Sequence, residues 1–301
     1  MKNSFYFLCI LLLLGNTVFS QPTSLDEIKE VNDILYVDAD LVENDSLQRL
    51  NLVLPAQVDS FPLLVWIGGG AWSYVNRNME MNIANRFAEE GIAVASVGHR
   101  LSSAVWKDST LNKGIQHPKH IEDVAAAFAW LYEHASDYGY DTSKIFLGGF
   151  SSGGHLAALL SMDEQYLEKW DLSLDKIQGV IPISGTYDVS NYHEVFLKGS
   201  KSELADLHVK AVFGDTEAGF EVASPTSYVE EMSVPMLLIS ENNTFKYAAI
   251  FEDKIRETDF RDFQALHIHK IGHGTLWKNL AEEQSVYRSF IVDFIWTEID
   301  G

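Results

Sequence analysis

The chain has 301 residues, of which 47% are hydrophobic and 22% charged, with 22 Lys+Arg against 43 Asp+Glu and a formal net charge of -21. High apolar content with little glycine, proline or cysteine excludes disordered, fibrous and disulfide-scaffold classes. The acid surplus excludes a nucleic-acid binder, which needs clustered lysine and arginine to neutralise phosphates, and it opposes contact with an anionic membrane.

Residues 1–20 read as a cleaved signal peptide: Lys2 precedes an apolar run over 5–14, and Ser20 is a small residue before Gln21. The expected mature unit is therefore residues 21–301, secreted or periplasmic. The apolar run is too short to span a bilayer, and no later stretch approaches the roughly 20 apolar residues of a spanning helix, so no membrane insertion is expected. The single cysteine, Cys9, lies inside this leader, which leaves the mature chain without a thiol. After the leader, 34–37 and 48–54 read as a strand pair separated by the polar Glu43-Asn44-Asp45-Ser46.

Apolar, β-branched runs follow at 63–67, 92–97, 145–148, 179–183 and 235–239, with a mixed run at 264–271. Helical periodicity is clearest over 119–135, where Ile121, Val124, Ala125, Phe128, Leu131 and Tyr132 share one face. It also predicts helices over 79–90, 154–162, 245–257 and 283–295. Strands apolar on both faces alternating with helices imply an α/β fold with a mostly parallel sheet, an antiparallel start and helices on both faces. In such a sheet the chemistry belongs at the carboxyl ends of the strands.

Three segments sit at predicted strand ends. Gly149-Phe150-Ser151-Ser152-Gly153 is G-x-S-x-G between an apolar strand and a helical run. That is the setting in which a tight strand-to-helix turn exposes a serine nucleophile. Gly68-Gly69-Gly70-Ala71 follows the strand at 63–67, and its small residues let backbone N–H groups approach a substrate oxygen. The loop has no lysine and no Walker pattern, which argues against phosphate. His273 follows the last mixed strand and comes after Ser151 in the chain, as a general base for that serine would. The other histidines have blander readings. His267 and His269 form H-x-H on a strand, either a metal pair or, as preferred here, a solvated face. His117 and His120 flank a helix start as caps or surface residues. His155 supports the serine turn. Trp66, Trp72, Tyr74 and Trp277 are expected near the mouth of the site, as stacking surfaces or as packing.

Together with Gly98-His99-Arg100-Leu101-Ser102, His117-Pro118, Glu122-Asp123-Val124-Ala125-Ala126-Ala127, Ser184-Gly185-Thr186-Tyr187-Asp188 and Ala223-Ser224-Pro225, these segments resemble the α/β-hydrolase esterase/lipase group. That group includes hormone-sensitive-lipase-like and bacterial feruloyl-esterase-like enzymes. The resemblance implies Ser151 as nucleophile, His273 as base, and an oxyanion site from the N–H groups of Gly70, Ala71 and Ser152. Two positions depart from the pattern. The family's H-G-G-G is here Gly68-Gly69-Gly70-Ala71, without the histidine. At the family's aspartate this chain has Asn243 or Thr244, depending on alignment. Glu241, the carboxylate in that loop, is the expected acid, and Asp188 is the alternative.

The implied activity is a secreted serine carboxylic-ester hydrolase acting through an acyl-enzyme, with no cofactor or metal, on small acyl or aryl esters or carbohydrate-linked esters. Two other readings stand beside it. One is a catalytically impaired member acting as a binding protein. The other is an amidase or formamidase using the same site.

Overall fold

The computed structural model describes residues 28–301 apart from 39–42, 44–45, 57–59 and 113; the leader expected at 1–20 lies outside the described residues. Eight strands form one sheet: β1 (Lys29–Leu35), β2 (Arg49–Leu54), β3 (Phe61–Ile67), β4 (Ala93–Val97), β5 (Tyr140–Phe150), β6 (Gly179–Ile183), β7 (Met236–Glu241) and β8 (Phe263–Ile268). Their spatial order is β1-β2-β4-β3-β5-β6-β7-β8. β1 with β2 and β2 with β4 are antiparallel, and every later pair is parallel.

The continuous apolar runs of the central strands exist because both faces are covered. In β3, Leu63, Val65 and Ile67 pack into one core, while Leu64 and Trp66 pack into the other. The first core is closed by α2 (Lys119–Glu133) and α3 (Ser152–Leu160), with Ala248, Phe251 and Ile255 of α5 (Phe245–Glu257) and Val189 of α4 (Val189–Lys198). The second is closed by α1 (Met81–Glu89), α6 (His273–Leu280) and α7 (Val286–Asp300). The i, i+3, i+4 stripe of α2 is the buried one, with Ile121, Val124, Ala125, Phe128 and Leu131 essentially inaccessible.

Differences from expectation concentrate at edges. The first strand is 29–35 rather than 34–37, because β1 is a half-exposed edge strand with a bulge at Asp33, so its polar residues mask the pattern. β8 stops at Ile268 instead of 271, where Lys270 takes φ 64° and turns the chain. The run at 79–90 divides into a 3-10 turn, Arg77–Glu80, and α1. The closing helix starts later, at Val286, where the Ser285 hydroxyl accepts from Arg288 N. Between β6 and β7, helices 189–198, 205–210, 211–213, 217–222 and 225–231 form a section that sequence periodicity did not predict.

Candidate functional site

β5 ends at Phe150 and the chain turns through Ser151 into α3. Ser151 has φ 57° and ψ -118°, a conformation costing a non-glycine residue on the order of 1–3 kcal/mol. Its N–H donates to Ile183 O at 2.8 Å, which fixes the turn against β6. The neighbouring residues are small for a steric reason. A Cβ at Gly149 would fall 2.4 Å from Gly153 O, at Gly153 2.0 Å from Ile67 O, and at Gly154 2.6 Å from Ile183 O. Ala71, Trp72 and Ser184 also have positive φ, so strain gathers at the carboxyl end of the sheet.

The loop after β3 passes beside this turn. Gly70 O accepts from Ser73 N and Tyr74 N, which curls the loop, and a Cβ at Gly70 would lie 2.5 Å from Val75 N. Among the described residues, the N–H groups of Gly70 and Ala71 have no protein acceptor. The Ser152 N–H, in the first turn of α3, has no intrahelical one. These are the three donors that the sequence expectation named.

His273 opens α6 and packs against Phe150, ring centroids 4.6 Å apart. Its Nδ1 lies 2.9 Å from Glu241 Oε1, the geometry of an N–H donating to a carboxylate. Glu241 is fully buried and is the last residue of β7 rather than a loop residue. Its other oxygen accepts from Asn243 N at 2.6 Å, and Thr244 Oγ1 donates to Oε1 at 3.0 Å. Asn243 Oδ1 in turn accepts from His273 N at 3.2 Å. Asn243 and Thr244, at the resembled aspartate slot, thus both hold Glu241. No hydrogen bond joins the Ser151 hydroxyl to the His273 ring; such contacts commonly tighten only with substrate bound.

Asp188 is placed elsewhere. It caps α4, accepting from Asn191 N at 2.9 Å, and pairs loosely with Lys254. Several sequence readings are corrected. His120 is buried, with Nε2 3.0 Å from Ser102 Oγ, so it is neither a cap nor a surface residue. His267 is not on a solvated face: its Nδ1 meets Ser240 Oγ and its Nε2 meets Glu252 Oε2. Trp66 lies beneath the site instead of at its mouth, fully buried and donating to Glu80. The His155 ring packs edge-on against Trp72 and Phe213. It is fully buried, with Nε2 2.8 Å from Ala223 O, and burial pushes its pKa down to about 3, so it stays neutral.

Two cavities flank Ser151 and His273. One, of about 330 Å³, is lined by Trp72, Ser184, Thr186, Tyr192, Asn243 and Tyr247 among others. The hydroxyls of Ser152, Ser184 and Thr186 and the indole N–H of Trp72, all in its wall, are buried without a partner among the described residues. The other, of about 240 Å³, is walled by Tyr74, Met79, Glu80, Phe150 and Trp277. Sequence reasoning missed Glu80, because a carboxylate next to an amphipathic helix reads as its solvated side.

The chain matches the profile of the BD-FAE family over residues 50–244. It belongs to that family. Curated relatives include Esterase LipQ of Mycobacterium tuberculosis (strain ATCC 25618 / H37Rv), 31% identical over 59% of this chain and 41% of that protein. Esterase LipC of the same organism is 26% identical over 71% of this chain and 53% of its own length. The chain spans about half the length of these family relatives. Among solved structures, Esterase B from Lactobacillus rhamnosis superposes with a TM-score of 0.70 at 21% identity, covering 91% of this chain and 85% of that one. A truncated carbohydrate esterase from gut microbiota gives 0.71 at 20%, covering 92% and 99%. These likenesses establish the α/β-hydrolase fold.

Proposed function

We propose that the protein is an exported serine hydrolase of carboxylic esters, with Ser151 as nucleophile, His273 as base and Glu241 as the acid of the triad. The observation that carries this reading is the strained Ser151 turn sharing two cavities with a histidine whose Nδ1 is held by a buried carboxylate. His273 Nε2 takes the Ser151 proton as Oγ attacks the ester carbonyl, and the negative oxygen falls to the N–H groups of Gly70, Ala71 and Ser152. Collapse expels the alcohol, protonated by His273, and leaves an acyl group on Ser151. Water activated by the same histidine then releases the acid and restores the serine. Glu241 fixes the Nδ1–H tautomer and stabilises the imidazolium formed in each half-reaction.

Cavities of this size suit short acyl or aryl esters. The unpartnered hydroxyls on one side favour an alcohol that itself bears hydroxyls, in keeping with the carbohydrate esterase among the structural neighbours. Incubation of the pure protein with a fluorophosphonate probe should label the wild type and leave Ser151→Ala unlabelled, and short p-nitrophenyl esters should be turned over. Absence of both labelling and turnover would refute the enzyme reading in favour of a binding protein, and anilide cleavage at rates matching ester cleavage would favour an amidase. Export is tested separately: protein expressed with its leader should begin at Gln21 on N-terminal sequencing.

A further inference from the structure

One buried carboxylate near the site has no place in that chemistry. Glu80 is 3% exposed, and among the described residues it has no cationic partner. Both of its oxygens are taken by indoles. Trp66 Nε1 donates to Oε2 at 2.9 Å, and Trp277 Nε1 lies 3.1 and 3.2 Å from Oε2 and Oε1. Trp66 belongs to β3, the strand that delivers the oxyanion loop, and Trp277 belongs to α6, the helix that His273 opens. The carboxylate also fills the space beside Gly68: a Cβ there would meet Glu80 Cγ and Oε1 at 3.0 Å. A fully solvated acid at this position would lose nothing. A buried one without a counter-ion is costly unless its acceptors are used, and here the acceptors connect two halves of the site.

We infer that Glu80 is a positioning residue for the oxyanion loop: clamped by the Trp66 and Trp277 indoles and packed against Gly68, it sets the Gly69–Ala71 backbone relative to His273. The inference rests on the esterase reading. It also explains why position 68 has no side chain, since the volume that a longer residue would use to steady the loop is already occupied from the other side. Burial raises the Glu80 carboxyl above the ordinary carboxylate range, with the two indole bonds opposing. Either protonation state keeps an oxygen to accept the indoles, so a glutamine can do the same.

The test measures kcat, KM and melting temperature for wild type, Glu80→Gln, Glu80→Ala, Gly68→Ala and the double variant Gly68→Ala/Glu80→Ala with p-nitrophenyl acetate. Loss of a whole oxyanion donor costs about 10²–10³ in kcat, so a loosened loop in Glu80→Ala should lower kcat by at least about tenfold with KM within about twofold. Glu80→Gln should keep kcat within about threefold of wild type. Gly68→Ala should lower kcat in the wild-type background and change it little once Glu80 is removed, because the added Cβ then has room. A Glu80→Ala enzyme with wild-type kcat, or a Gly68→Ala effect equal in both backgrounds, overturns the inference while leaving the esterase reading intact. A Glu80→Ala loss confined to KM or to melting temperature also overturns it. A wild type without turnover overturns the esterase reading and this role with it.

Discussion

Replacing Glu241 by glutamine alters one atom in the interior of the proposed triad, and the surrounding bonds determine the outcome. In the wild type, Oε1 faces His273 Nδ1 and Thr244 Oγ1, and Oε2 faces the Asn243 N–H. A glutamine has one oxygen and one NH₂ to distribute. If the oxygen faces His273, the NH₂ meets the Asn243 N–H, two donors at 2.6 Å, and the pair must separate. If the oxygen faces Asn243, the NH₂ donates to His273 Nδ1. That places the ring proton on Nε2, where it blocks proton transfer from Ser151. In either orientation the imidazolium has lost its counter-charge. The equivalent exchange in a serine protease costs about 10⁴ in turnover, so kcat should fall by about 10³–10⁴, or roughly 4–5.5 kcal/mol in activation free energy. KM should change little, since the carboxylate touches no substrate. One mispaired buried donor adds a stability cost of about 1–3 kcal/mol, visible in urea unfolding but too small to unfold the protein. Steady-state kinetics on p-nitrophenyl acetate, normalised by titration of active serines, checks this. A folded Glu241→Gln enzyme with kcat within tenfold of wild type would remove Glu241 from the triad.

Three further outcomes are expected. Asp188→Ala should cost about 1 kcal/mol of stability as a lost helix cap and leave kcat near wild type; a fall of a hundredfold would return Asp188 to the site. Gly153→Ala should prevent the serine turn from closing, because the new methyl would lie 2.0 Å from Ile67 O in rigid backbone. The expected result is insoluble protein or a loss of about 3 kcal/mol or more, and a variant melting and labelling like wild type would contradict the steric account. His208, buried beside Tyr192, is pushed down to about 4, whereas the unfolded chain titrates near the ordinary 6.5. Between those values the unfolded state binds more protons, so this histidine's contribution to stability is full above pH 6.5 and is lost as pH falls towards 4, at about 1.4 kcal/mol per unit. His208→Phe should therefore gain on wild type by on the order of 2 kcal/mol between pH 6.5 and 4.5 in chemical denaturation. A difference that does not vary with pH would refute the assignment.

How far the sequence could be read depended on what each segment is covered by. β3, β4, β6, β7 and the second half of β5 are buried on both faces, so they appear as largely apolar runs, whereas the first half of β5, with Asp141, Ser143 and Lys144, does not. β1 has only partly buried positions and carries Lys29, Glu30 and Asn32, so its pattern dissolves into that of a loop. The helices between β6 and β7 are short, and their polar residues obscure any period, yet they place Tyr192 and Phe196 in the wall of a site cavity. The serine turn was readable because close backbone approach demands small residues, a requirement that composition records directly. Glu80 and His120 were not, because a pattern argument assigns charged and imidazole groups to solvent unless something specific buries them, and here only tertiary contacts do.

Glu241 presents the same problem at the point where it matters most, and its geometry shows how a carboxylate can be relocated without losing its target. The resembled aspartate would stand at 243 or 244, in the turn after β7, and reach His273 from there with a short side chain. In this chain the carboxylate starts from the last residue of the strand and has one more methylene to span the gap. A strand residue is held by its ladder to β8, where Glu241 pairs with Ile268, so the longer side chain is anchored on a firmer base. The cost is one additional rotatable bond's worth of freedom at the carboxylate, and the turn removes it. The Asn243 N–H and the Thr244 hydroxyl, at the vacated positions, each donate to one carboxylate oxygen and leave Oε1 aimed at His273 Nδ1. On this account, Thr244→Val should lower kcat by less than Glu241→Gln but by more than its small change in volume warrants, because it removes one of the two donors to Oε1 and leaves that oxygen to His273 alone, without removing the charge. If Thr244→Val matched wild type in kcat, the Asn243 N–H alone would suffice to orient the acid, and the turn's contribution would reduce to that single bond.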